Sequence, residues 1–128
     1  MSAASLRSRY LGNSIATASP QQLLVMLYER LALDLERGEV AMAAGDRQQA
    51  SEQLQHAQEI ILELQASLRI DIWDGGPRLN ALYAWLLSEL IRANTKGDLR
   101  RVGDCRRIVE PLRAAGRAAA ASLASSPA

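Results

Sequence analysis

Apolar residues in this chain recur at intervals of three and four, the spacing that places side chains on one side of an α-helix. The clearest run lies between residues 46 and 68, where the intervals alternate: Ala50, Leu54, Ala57, Ile61, Leu64 and Leu68. A seam of this kind packs at a shallow angle against neighbouring helices. With no Phe, four Pro and an apolar content of 48% dominated by Ala and Leu, the sequence predicts an all-α protein.

Capping and turn residues divide the chain into four helices. Ser19 is an N-cap candidate, followed by Pro20 at the first helical position and Gln22 in the place of a capping box. The pairs Gly45-Asp46 and Gly97-Asp98 each provide a left-handed stop and a new N-cap. We therefore expect an antiparallel up-down four-helix bundle, with a mobile N-terminal arm able to pack on it and a frayed tail. The expected ranges are 1–18 for the arm, 19–120 for the bundle (helices about 20–43, 46–68, 77–95 and 98–120) and 121–128 for the tail.

The first helix has apolar residues on two opposite sides. One side is a core stripe: Leu24, Leu27, Tyr28, Leu31, Leu35, Gly38 and Met42. On the other side Met26, Leu33 and Val40 repeat every seven residues between charged neighbours. Three interpretations stay open: the N-terminal arm covers this second seam, a partner covers it, or its members are singly exposed residues without consequence.

Helix 3 is apolar over most of its circumference, which fits a helix contacted on more than one side. Trp85 lies nearer its polar side and is a candidate exposed anchor. Helix 4 has a seam from Val102 to Leu123, and Pro111 predicts a kink within it. The connector between helices 2 and 3 contributes three large apolar residues that we interpret as a plug at the end of the bundle: Ile70, Ile72 and Trp73.

The residue types needed for catalysis or metal binding are scarce. His56 is the only histidine, and with Glu59 it makes a single His-x-x-Glu pair. The helical seams are apolar, so no inward-pointing carboxylates or further histidines complete a metal site. We interpret Cys105, the single cysteine, as a small core residue, and no Gly-rich phosphate loop follows a strand. We expect no enzyme activity, cofactor, metal or small-molecule substrate.

The length of the chain, 128 residues, suits one domain. The single cysteine indicates the compartment, because it excludes an internal disulfide and fits a reducing cytosol. Residues 1–20 lack the continuous apolar stretch of a secretion signal, and no run approaches the ~18 apolar residues of a membrane span. We therefore expect a cytoplasmic protein without membrane insertion.

Helix 4 suggests an alternative function. It carries six arginines against three acidic residues: Arg100, Arg101, Arg106, Arg107, Arg113 and Arg117 against Asp98, Asp104 and Glu110. Basic helices of this kind bind nucleic acid in some proteins. Arginines beside an apolar seam are nevertheless common on solvated helices, and no aromatic residues are interleaved for base stacking. We keep nucleic-acid binding through helix 4 as the alternative, and a homo-oligomer that hides the extra seams against itself as a third interpretation.

Several segments resemble a known family. They are Tyr10, Ile15, Thr17-Ala18-Ser19-Pro20, Leu23 and Met26-Leu27-Tyr28, then Ala57-Gln58-Glu59-Ile60-Ile61 with Leu64 and Leu68, then Leu82-Tyr83, Leu90-Ile91 and Ala93-Asn94. Together they resemble the FliS family of flagellin export chaperones over roughly residues 10–115. That family usually has an aromatic residue near position 116, where this chain has Gly116, so the last turns of helix 4 depart from its pattern.

The resemblance implies a cytoplasmic chaperone that binds the C-terminal segment of flagellin, prevents premature polymerisation and aids delivery to the flagellar export apparatus, whose gate is a further candidate partner. We expect an apolar groove along helices 1, 2 and 3 as the binding site, with residues of the arm as its lid. The candidate contact residues are Tyr10, Ile15, Leu24, Leu27, Tyr28, Ile60, Leu64, Tyr83, Leu86 and Leu87.

Deletion of residues 1–17 tests the role of the arm. We expect the helix content measured by circular dichroism to stay unchanged, because the first helix begins only at Pro20. We expect the affinity for flagellin to change, because the deletion removes Tyr10 and Ile15. An unfolded truncation would show that the arm is part of the fold.

Overall fold

The computed structural model describes residues 19–68 and 75–124, and every regular element in these two stretches is an α-helix. The elements are α1 (Pro20–Ala43), α2 (Arg47–Ser67), α3 (Gly76–Lys96) and α4 (Leu99–Ala124). The expectation of an all-α, four-helix fold is confirmed. The predicted arm, the plug residues Ile70, Ile72 and Trp73, and residues 125–128 lie outside the described residues.

The four helices form a square in which each helix packs on two others. Both α1 and α3 contact α2 and α4, while the backbones of the diagonal pairs stay apart. Helices α1 and α4 run antiparallel, because Glu29 pairs with Arg113 and Glu39 pairs with Arg106. Helix α1 packs on its neighbours most extensively and α3 least. Within the described residues, no helix combines the length and hydropathy that a membrane crossing requires.

The helix ends follow from their capping residues. The Ser19 hydroxyl accepts a hydrogen bond from the Gln22 backbone N–H at 3.2 Å, and the Gln22 side chain accepts one from the Ser19 N–H at 2.9 Å. Gly45 and Gly97 have φ of 79° and 64°, a left-handed conformation that glycine adopts without strain. Helix α4 continues through Pro111 to Ala124, one turn beyond residue 120. The kink at Pro111 stays a prediction.

The apolar stripes of the four helices meet along the bundle axis. The largest fully buried side chains are Tyr83, Leu27, Leu31, Leu35, Leu54, Ile60, Ile61, Leu64, Leu86, Leu90 and Val102. Full burial of a side chain of this size contributes about 1.5–3 kcal/mol of transfer free energy. These contacts fix the positions of the helices and therefore of every surface described below.

The seam of α4 is buried only in its first half. Its first apolar residues are enclosed: Val102, Cys105 and Val109. Ala119, further along the same seam, is exposed. The ion pair between Glu89 and Arg101 shows which residues of α3 and α4 lie opposite each other. Because α3 begins at Gly76, it extends along α4 only as far as the turn that contains Arg113. The last turns of α4 therefore have no α3 to pack against.

The carboxylate of Asp34 is fully buried where α1 packs on α2. Asp34 has no exposed surface; it accepts a hydrogen bond from Arg30 Nε at 3.0 Å and pairs with His56 Nδ1 of α2. Burial raises the pKa of Asp34, and the hydrogen bond with His56 opposes the rise. The helical period places Asp34 on the same side of α1 as Leu27 and Leu31, whereas its charge alone would predict exposure. The partners satisfy a group whose burial would otherwise be unfavourable.

Asp34→Asn removes the ionisable group and keeps the shape of the side chain. Folding raises the pKa of Asp34 above 3.8, so the native chain keeps this proton to a higher pH than the unfolded chain. The contribution of Asp34 to stability is therefore largest below pH 3.8 and declines as the pH rises through the raised pKa. We expect urea titrations to show the stability of the Asn variant improving relative to the wild type over that interval. Parallel pH profiles for the two proteins would contradict this account.

Candidate binding surface

Most of the residues predicted from the sequence to contact a partner lie in the core. Six of them are at most 4% exposed: Leu27, Tyr28, Ile60, Leu64, Tyr83 and Leu86. Leu24 and Leu87 are half-buried, and Tyr10 and Ile15 lie outside the described residues. The six buried side chains can touch a partner only if the helices separate. Their assignment as contacts stays a prediction, and a surface available without rearrangement must be sought elsewhere.

Two of these core residues connect the diagonal helices α1 and α3. The hydroxyl groups of Tyr28 and Tyr83 form a hydrogen bond in the core. Burial raises the pKa of both phenols, so both stay protonated. Gly116 of α4 lies against the Tyr28 ring: a Cβ at this position would be 3.2 Å from Tyr28 Cδ2. The departure from the family pattern at Gly116 thus occurs where α4 leaves space for an aromatic ring of α1.

The flank of α3 that faces α2 borders an open groove of about 350 Å³. Ile91 is 48% exposed there, Leu62 of α2 is exposed on the other side of the groove, and Leu87 lies half-buried one turn before Ile91. The remaining lining is polar: Gln55, Gln58, Glu59, Asn94 and Thr95. Its volume lies at the lower end of the range for ligand pockets and is sufficient for one or two large side chains of a partner.

The flank of α3 that faces α4 also carries exposed apolar residues. The Glu89–Arg101 ion pair, at 2.7 Å, marks this side of both helices. Trp85 lies one turn before Glu89, and Ile108 lies two turns after Arg101, so both follow the same flank. Trp85 is 42% exposed, as expected of an anchor, and Ile108 is also exposed.

We name these exposed and half-buried side chains together the α3 face: Leu62, Trp85, Leu87, Ile91 and Ile108. The sequence analysis singled out Trp85 as a candidate exposed anchor and Leu87 as a candidate contact, but it missed Leu62 and Ile108. Both lie outside the heptad seams of their helices. Large apolar residues outside a seam indicate candidate surface contacts, and this criterion would have identified both.

The arginines of α4 are largely paired with acidic side chains. Five of the six form ion pairs, three of them to α1: Arg101 with Glu89 and Asp98, Arg106 with Glu39, Arg107 with Asp104, Arg113 with Glu29 and Glu110, Arg117 with Glu29. The hydrogen bond from Arg117 lowers the pKa of Glu29, and the one from Arg113 lowers the pKa of Glu110. Each such surface pair contributes only about 0–1 kcal/mol to stability. Together these pairs neutralise the positive charge on α4 that contact with the phosphates of a nucleic acid would require.

Reactive groups are scarce on the described surface. Residues 19–68 and 75–124 contain no cluster of three His, Cys, Asp or Glu side chains that could hold a metal ion. Burial raises the pKa of the Cys105 thiol to about 12. A thiol that keeps its proton at neutral pH is a poor nucleophile, which leaves Cys105 with the role of a core residue.

Comparison with known proteins identifies the family. The sequence profile described as "Flagellar protein FliS" matches residues 2–122, almost the whole chain. The chain belongs to the FliS family. The resemblance carried by the segments of the first three helices is therefore confirmed, and the family is that of flagellar secretion chaperones.

Two curated relatives of this FliS-family chain have the same printed name, "Flagellar secretion chaperone FliS". The protein of Bacillus subtilis (strain 168) is 33% identical over 89 residues, which cover 70% of this chain and 66% of that protein. The protein of Vibrio cholerae serotype O1 is 28% identical over 106 residues, which cover 80% of this chain and 76% of that protein. A crystal structure titled as a flagellar chaperone from bacteria aligns with a TM-score of 0.73 at 22% identity, covering 93% of this chain and 98% of the other. At that identity the alignment shows a shared fold.

The Tyr28–Tyr83 hydrogen bond can be tested by a double-mutant cycle. Tyr83→Phe leaves the Tyr28 hydroxyl buried without a partner, so we expect a loss of about 1–3 kcal/mol in the free energy of unfolding, measured with denaturant. The double variant with Tyr28→Phe removes both polar groups, and its loss should be smaller than the sum of the two single losses. Strictly additive losses would show that the two hydroxyl groups do not depend on each other.

Proposed function

We propose that this FliS-family chain binds the C-terminal segment of flagellin on the α3 face, prevents its premature polymerisation in the cytosol and aids its delivery to the flagellar export apparatus. One observation carries the proposal. Helix α3 exposes large apolar side chains on both flanks, although it packs less extensively on its neighbours than any other helix. Apolar surface that a fold leaves uncovered on both sides of one helix is typical of a binding site.

The dimensions of the α3 face favour an extended partner. A specific protein interface involves about 20–30 residues on each side, whereas seven residues line the groove beside Ile91. A bound segment must therefore continue from the groove beside Ile91, across α3, to the flank that carries Trp85. A terminal segment that is disordered when free can follow such a surface, because it orders only as it binds.

The composition of the groove predicts how the complex responds to salt. Apart from Glu59, its polar lining is uncharged: Gln55, Gln58, Asn94 and Thr95. Binding then depends mainly on burial of apolar side chains, which is little affected by ionic strength and is accompanied by a negative change in heat capacity. Nucleic-acid binding through α4 would lose affinity steeply with added salt.

The predicted contacts in the core act indirectly in this proposal. Leu86 and Tyr83 fix the side of α3 that faces the bundle axis, and this fixes the direction of Trp85 and Ile91. Leu87 is the predicted contact that also belongs to the α3 face. The function requires no bond to be made or broken. The chaperone competes with other flagellin subunits for the apolar positions that the filament uses.

Calorimetric titration with a peptide from the C-terminal region of flagellin tests the proposal. We expect saturable binding with a negative heat-capacity change and similar affinity at low and high salt. Ile91→Glu places a charge in the groove, and we expect it to weaken binding by about tenfold or more, or at least ~1.4 kcal/mol. Because Ile91 is exposed, unfolding experiments should show little change in stability.

Val40→Glu is the matched control. Val40 is the most exposed of the large apolar residues described, but it lies on α1, diagonally across the bundle from α3, so its substitution should leave the affinity for the peptide unchanged. Absence of binding by the wild type would remove the function proposed. Equal affinities of the wild type and Ile91→Glu would move the site away from the α3 face.

A further inference from the structure

A row of positive charge runs along α3 beside Trp85. Arg78 lies seven residues before Trp85, and Arg92 and Lys96 lie seven and eleven residues after it. These intervals place the four side chains along one edge of the helix, and all four are exposed. We name Arg78, Arg92 and Lys96 the basic row. At 1.5 Å per residue it is about 27 Å long.

The basic row has little compensation within the bundle. Arg78 and Lys96 form no ion pair with any residue of 19–68 or 75–124. Arg92 approaches Glu89 only to 3.9 Å, which is beyond hydrogen-bond distance. Glu89 is the one acidic residue of α3, and its closer partner is Arg101 of α4, at 2.7 Å. The positive charge of α3, unlike that of α4, is therefore available to a partner.

The two flanks of the α3 face differ in charge. The groove beside Ile91 is lined by uncharged side chains and one carboxylate, that of Glu59. Helix α2, which forms the other wall of this groove, has three glutamates and one arginine: Glu52, Glu59, Glu63 and Arg47. The flank beside Trp85 therefore attracts negative charge, whereas the flank beside Ile91 does not.

The position of Trp85 within the basic row indicates the chemistry of the bound segment. A carboxylate placed beside Trp85 is attracted by the row, and a lysine or arginine placed there is repelled. We propose that the segment bound on the α3 face is acidic where it passes Trp85, with carboxylates that pair with the basic row on both sides of an apolar side chain packed on the indole ring. This inference rests on the proposed chaperone function, because it names the chemistry of the segment at the same site.

The surroundings of the row favour an acidic peptide over a nucleic acid. Three cations over about 27 Å are sparse compared with the phosphates of one DNA strand, which follow each other at about 3.4 Å. Within residues 19–68 and 75–124, Trp85 is the one exposed aromatic side chain, whereas single strands are held by stacking on several. A peptide needs only a few carboxylates, and its apolar side chains also cover Trp85 and Ile108.

The basic row selects between segments rather than providing most of the affinity. Each exposed ion pair contributes about 0–1 kcal/mol, which is at most about a fivefold change in affinity, and salt screens it. Charges at the rim of an interface act mainly on the association rate and on the choice of partner. Burial of apolar side chains supplies the remainder, so the response of the whole complex to salt stays small.

Two matched peptides test the inference by calorimetric titration of the full chain. One is a segment of the C-terminal region of flagellin that contains acidic residues, and the other has each Asp replaced by Asn and each Glu by Gln. At low salt we expect the neutral peptide to bind about fivefold more weakly or worse, and high salt should reduce this difference. Equal affinities at low salt would overturn the inference and leave the proposed function intact. Absence of binding by both peptides would remove the proposed function and this inference with it.

Charge reversal assigns the preference to the basic row. We expect Arg92→Glu to weaken binding of the acidic peptide severalfold and to leave binding of the neutral peptide unchanged. Arg37→Glu is the matched control, because Arg37 is exposed and lies on α1, diagonally across the bundle. A variant with Arg78, Arg92 and Lys96 all replaced by Glu should prefer a third peptide, in which Lys replaces each acidic residue. Equal weakening for all three peptides would show a merely structural role and overturn the proposal.

Competition with a single-stranded oligonucleotide tests the other anionic partner. At low salt we expect the acidic peptide to stay bound to the wild type in the presence of excess oligonucleotide. Displacement of the peptide from the wild type, combined with loss of oligonucleotide binding in the variant with three Glu substitutions, would assign the basic row to nucleic acid and overturn the proposal.

Discussion

The contact of four apolar stripes along one axis is the interaction on which the described structure depends. In a square arrangement each helix faces two neighbours, so only one side of it can be buried. Any apolar residue outside that side is left at the surface by geometry. Within the described residues, large exposed apolar side chains occur on all four helices, and four of the six lie on α3 or beside it: Leu62, Trp85, Ile91 and Ile108. The candidate surfaces of the molecule are therefore a direct consequence of how the core forms.

The fold was predictable because each local signal agreed with the others. Ser19 and Gln22 cap a helix that also has a continuous stripe, and Gly45 and Gly97 adopt the left-handed conformation where the stripes end. Helix period, caps and turns are all local properties, readable without knowing which helices meet. Asp34 is a case in which the local signals disagree: its spacing from Leu27 and Leu31 indicates burial and its charge indicates exposure. The approach of α2, which brings His56 to the carboxylate, decides the outcome.

The binding surface was less predictable for the same reason. The period of a helix shows which residues share a side but not whether another helix covers them. Leu27 and Ile60 were predicted as contacts on apolar character, yet neighbouring helices enclose both. Leu62 was overlooked, although α3 does not cover it. Core and groove residues differ only in what lies opposite them, and that depends on the packing of residues distant in sequence.

The loose packing of α3 links the core residues to the surface. A helix with few contacts to its neighbours opens at a smaller free-energy cost than one packed on both sides, so α3 is the element of this bundle that separates most readily. A segment that enters between α3 and α2 at Ile91 meets Leu87 first and, behind it, Leu86 and Tyr83. Entry to that depth would break the hydrogen bond between Tyr83 and Tyr28, which links the side chains of α3 and α1. A partner that lies on the α3 face therefore leaves the Tyr28–Tyr83 hydrogen bond intact, whereas a partner that replaces part of the core must break it.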